Sequence, residues 1–103
     1  MQKYLTFMRL TDKGQTTPPE KVGELYKQML AITESFGGKT LEVWTTAGEY
    51  DFVTIAEFPN DEASFKARIK LNQLGVARLD GGPTYPVDVF LAAAMEKREL
   101  VKV

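Results

Sequence analysis

Over its first 80 residues the chain moves repeatedly between the alternation of a strand and the 3.6-residue spacing of a helix. Only an architecture with both a sheet and a helical layer buries such a pattern. Residues 3–10, KYLTFMRL, are rich in aromatic and branched side chains and read as the first strand. The polar stretch TDKGQTT reads as a loop. At TPPE, Thr17 is placed to cap a helix, Pro18 suits its first position, and Glu20 completes a capping box. Val22, Leu25, Tyr26, Met29, Ile32 and Phe36 then form one apolar stripe, which Gly37-Gly38 stops.

Residues 39–46 read as a second strand and Tyr50 to Phe58 as a third, joined by a tight hairpin at Ala47-Gly48 in which Gly48 supplies a positive φ. Such a turn sets Trp44 opposite Asp51 and Glu42 opposite Val53. Pro59 ends the strand and Asn60 caps a second helix. Asp61 and Glu62 lie where the helix dipole favours negative charge. Phe65, Ile69, Leu71 and Leu74 are expected to supply that helix's buried face. A fourth strand from Val76 is expected to run poorly into DGGPTYP, with GGP at 81–83 read as a turn rather than a phosphate loop. A last helix from about Pro86 carries Val87, Phe90, Leu91, Ala94 and Met95. The order β-α-β-β-α-β plus a C-terminal helix predicts an α+β, ferredoxin-like antiparallel sheet with two helices on one face, in a single domain over residues 1–103.

Composition narrows the chemistry. The chain has no cysteine and no histidine. That excludes disulfides, thiolate catalysis and the usual proton shuttle of neutral pH. Any acid–base work would fall to Asp, Glu, Tyr or Lys. A formal charge of −1 gives no pull toward nucleic acid or anionic membrane. No apolar run is long enough to span a bilayer, and the N-terminus is too short and polar for a signal peptide, so the expected location is the cytoplasm.

The strands are apolar on both sides. Strand one separates Leu5 and Phe7 from Tyr4, Met8 and Leu10; strand three separates Val53 and Ile55 from Phe52, Ala56 and Phe58. An antiparallel sheet of this kind needs cover on both faces, and one C-terminal helix is too little. A homodimer joined through the open sheet face is the expected solution.

The segment TTAGEYDFVTIAEFPNDEA, residues 45–63, resembles the GYD-domain proteins. Gly48, Tyr50, Asp51, Val53, Glu57, Pro59, Asp61, Glu62 and Ala63 fit that signature, as do FGGK at 36–39, Leu74-Gly75 and Arg78. The C-terminal LDGGPTYPVDVFLAAAMEKRELVKV departs from it. The resemblance implies a ferredoxin-like unit that pairs into a dimeric α/β barrel, and brings no accepted catalytic residues.

The candidate catalytic groups are Asp51, Tyr50 and Glu57. Trp44, Tyr50 and Asp51 are the candidate ligand-binding set, for a small aromatic or apolar molecule held between sheet and partner subunit. Asp51 reads either as a base beside Trp44 or as a hairpin carboxylate bonding backbone amides. Glu57 reads as a group paired with Arg9 or Arg78, as a pocket residue beside Asp51, or as a strand-end glutamate in water. Gly48 and Asn60 are structural. No metal and no cofactor are expected, since Asp51, Glu57 and Asp80 lack any ligand spacing. GEYDFV imitates an RNA-recognition strand, but Glu49 and Asp51 stand where a phosphate backbone would lie. Three functions stay open: a small-molecule-binding dimer, a cofactor-independent enzyme of monooxygenase or isomerase type, and an interaction module without ligand.

Overall fold

The computed structural model describes the backbone of residues 1–102 and the side chains of residues 1–96; the expected domain end at Val103 lies outside the described residues. The elements are β1 (Gln2–Leu10), α1 (Asp12–Gln15), α2 (Pro19–Ser35), β2 (Lys39–Thr45), β3 (Phe52–Phe58), α3 (Asp61–Gln73), β4 (Ala77–Pro83) and α4 (Val87–Lys102). Four antiparallel strands form one sheet in the order β2-β3-β1-β4, and α2 and α3 cover one face. This is the expected ferredoxin-like α+β arrangement.

Local chemistry accounts for most boundaries. The Asn60 side chain accepts from the Ala63 amide at 2.8 Å and so caps α3. The TDKGQTT segment, however, is not a plain loop. Thr11 caps the four-residue α1, and its backbone amide and hydroxyl donate to the carbonyls of Val76 and Gly75. Thr17 does not cap α2: its hydroxyl donates back to the Lys13 carbonyl, and Pro18 occupies the cap with no side-chain bond. The α1 turn has taken the threonine.

The buried face of α3 also differs from expectation. Phe65 is 62% exposed and Ile69 is 40% exposed, whereas Ala67 is 1% exposed. A helix pressed closely onto a sheet puts its small side chain at the contact, and the aromatic one is turned outward. Tyr4 of β1 fixes the start of α3, because its hydroxyl donates to the Asp61 carboxylate at 2.5 Å. Tyr4 also meets Phe58 edge-on at 5.5 Å in the small core that both share with Ala56 and Ala67.

β4 runs through GGP, so these residues are paired strand and not the expected turn. Thr6 pairs with Gly81, Leu5 with Gly82 and Tyr4 with Pro83. Gly81 has φ +116°, and a Cβ there would sit 2.1 Å from the Leu5 carbonyl oxygen. Only glycine lets β4 lie this close to β1.

α4 stands off the sheet. Val87, Val89, Phe90, Leu91 and Met95 are all at least half exposed. The radius of gyration is 16.7 Å, against about 13 Å for a compact chain of this length.

A cavity on the helix face and a pinned corner on the other

The register sorts the strand residues into two faces. Toward α2 and α3 point Tyr4, Thr6, Met8, Val43, Phe52, Thr54, Ala56, Phe58 and Leu79. The open face carries Leu5, Phe7, Arg9, Trp44, Val53, Ile55, Glu57 and Asp80.

On the open face lies the Gly48–Asp51 corner. β2 and β3 are joined by the six residues Thr46–Asp51, not by a two-residue turn. Trp44 pairs with Val53 and Glu42 with Ile55, a displacement of two residues from the expected register. A shift of two leaves every side chain on the face that the shorter turn would give it. The longer loop is set by Asp51, whose backbone amide donates to the Met8 carbonyl. Its carboxylate accepts from the Leu10 amide at 2.8 Å. Asp51 thus extends the β1–β3 ladder past its last residue pair. Gly48, at φ +148°, supplies the expected positive φ.

Tyr50 packs its ring against Phe7 at 5.0 Å and donates its hydroxyl to Asp80 at 3.2 Å. That bond and the nearby carboxylate charge raise its pKa. Arg9 closes the corner, with its guanidinium 5.7 Å from the Tyr50 ring centre and an ion pair to Glu49 at 2.8 Å. Neither Arg9 nor Arg78 faces Glu57. They pair with each other across β1 and β4, while Glu57 lies between Lys3 and Lys39 on its two neighbouring strands. Trp44 is 57% exposed and stands apart from the Tyr50 cluster.

The cavity is on the other face. A space of about 590 Å³ opens between the sheet and helices α2 and α3. Met8, Val43, Phe52 and Leu79 floor it, and Leu25, Met29 and Leu71 roof it. Trp44, Tyr50, Asp51 and Glu57 do not line it. The sheet separates the two sets of residues.

Val22 and Tyr26 of α2, which border the space, are 52% and 47% exposed, so solvent reaches it from that side. Water there finds few partners in a mostly apolar lining. The polar groups offered are threonine hydroxyls, chiefly Thr6 and Thr54 side by side on β1 and β3, with Gln15 on α1 and Ser64 and Arg68 on α3. Tyr4 also lines the cavity, but its hydroxyl is engaged by Asp61. Burial first, and then that carboxylate, push its pKa up to about 12.

Sequence reasoning missed Thr6, Thr54 and Arg68. A signal was present: on the helix face of β1 and β3, Thr6 and Thr54 interrupt an otherwise apolar alternation at facing positions.

The family model described as the GYD domain matches residues 4–94. No curated protein matches the chain. Among the described residues no helix is long and apolar enough to cross a membrane.

Proposed function

The chain belongs to the GYD-domain family, and we propose that it binds a small, largely apolar organic molecule between its sheet and helices α2 and α3. The observation carrying this reading is the cavity of about 590 Å³, within the size range of sites that enclose small molecules. Its apolar walls and few polar groups suit a ligand better than solvent. Binding is favoured over proton transfer because the lining holds no carboxylate among the described residues, and the Tyr4 phenol is held protonated. The Tyr50–Asp51 corner serves as a strand clamp in this account.

The working unit we propose is a homodimer joined through the open sheet face. Leu5, Phe7, Val53 and Ile55 form its apolar centre, and Arg9, Glu57 and Asp80 stand at its rim. Covering that face would leave the cavity on the outer side of each sheet.

The test uses phenylnaphthylamine, a neutral apolar dye whose fluorescence rises on burial. Wild-type protein is expected to bind it saturably at one site per chain. Thr54→Phe, which projects a ring into the space, is expected to weaken it at least tenfold while keeping the native circular dichroism. Equal binding by a folded Thr54→Phe protein would remove the cavity from the account.

A further inference from the structure

Arg68 is the one charged side chain lining the cavity among the described residues. Its position is held from one side only. Nη2 donates to the Leu79 carbonyl at 2.6 Å and Nη1 to the Gly81 carbonyl at 3.4 Å, both on edge strand β4. No carboxylate pairs with it among the described residues. A guanidinium carries five N–H donors in a planar fork, so these two bonds, made at the half-exposed rim of the space along β4, leave donors free.

The surroundings leave room for an anion. Ser64 lies one helical turn before Arg68 and lines the same cavity. Gly81 and Gly82 line the same space without side chains of their own. A carboxylate or sulfonate placed there meets Arg68 in a charge-assisted pair and Ser64 as a hydroxyl donor. Its carbon skeleton then extends over Thr6 and Thr54 toward Met29. A cationic ligand would be repelled, and a neutral one would leave the guanidinium with its two carbonyl bonds and no counter-charge.

Resting on the cavity reading above, we infer that the ligand is an amphipathic organic acid, with Arg68 and Ser64 receiving its anionic group and the apolar walls receiving its body. Arg68 is the specificity-determining residue of this site.

Two dyes with the same aromatic skeleton test this: phenylnaphthylamine, which is neutral, and anilinonaphthalene sulfonate, which carries an anion. Wild-type protein is expected to prefer the sulfonate by about tenfold or more, as for a hydrogen bond to a charged group. In Arg68→Gln that preference falls to about twofold or less, and Arg68→Lys restores part of it. Ser64→Asp leaves Arg68 in place and sets a carboxylate beside it, and should abolish the preference likewise. This second variant decides the matter if Arg68→Gln does not fold. A preference that survives in folded Arg68→Gln or in Ser64→Asp overturns the inference while the cavity reading stands. If Thr54→Phe binds both dyes as wild type does, the cavity reading fails and this inference fails with it.

Discussion

Replacing Asp51 separates a structural corner from a binding site. The Asp51 carboxylate accepts the Leu10 amide at 2.8 Å, where β1 and β3 are no longer held by a paired ladder. A hydrogen bond between a backbone N–H and a charged acceptor contributes about 1.5–3 kcal/mol. The side chain is half-buried, so the expected loss in Asp51→Ala is about 2 kcal/mol. Asp51→Asn keeps an acceptor without the charge and should lose about 1 kcal/mol. With a urea m-value of about 1.5 kcal/mol/M for a domain of this size, the alanine variant shifts the midpoint down by about 1.3 M. The asparagine variant shifts it by about half as much. Phenylnaphthylamine affinity, measured on the folded variants, should stay within about twofold of wild type, because Asp51 does not line the cavity. An Asp51→Ala protein of wild-type stability that has lost the dye would refute the reasoning and return Asp51 to the site.

The remaining predictions concern Tyr4 and the open face. Tyr4 keeps its proton up to about pH 12 in the folded chain, whereas an unfolded tyrosine loses it near pH 10. Between those values the native state binds more protons, so stability falls as pH rises from about 10 toward 12; Tyr4→Phe should flatten that fall, and an unchanged slope would contradict it. The sheet face carrying Phe7, Val53 and the single tryptophan Trp44 should give a dimeric mass by light scattering at micromolar concentration. Val53→Glu should give a monomer with red-shifted Trp44 emission, and a wild-type monomer at that concentration would defeat the dimer.

The fold was legible where signals are local. Asn60 before Asp61-Glu62, Gly37-Gly38 after the α2 stripe, and the alternation in β1 and β3 each act within a few residues, and the structure follows them. What escaped depended on distant groups. The hairpin length could not be read because Asp51 answers to Leu10, 41 residues away. Thr17 is a good cap in isolation, but the Lys13 carbonyl of α1 takes its hydroxyl. GGP reads as a turn until β1 lies beside it and needs the space at Gly81. On α3, Phe65 and Ile69 attract attention by hydrophobicity, yet close contact with the sheet selects Ala67. The cavity escaped for a related reason. Acidic and aromatic residues at a glycine turn look like chemistry, whereas threonines on a strand and one arginine on a helix look ordinary until the sheet and helices set them around a common space.

Methyl NMR on the methionines tests the central claim, that the ligand site is the space between sheet and helices. The chain has four methionines. Met8 and Met29 line the cavity, while Met1 and Met95 are exposed and do not. On titration with phenylnaphthylamine the account predicts saturable shifts of the Met8 and Met29 methyl signals, with those of Met1 and Met95 and the Trp44 indole signal left in place. Static Met8 and Met29 signals beside a moving Trp44 or Met95 would contradict it, and would place binding on the open sheet face or on α4.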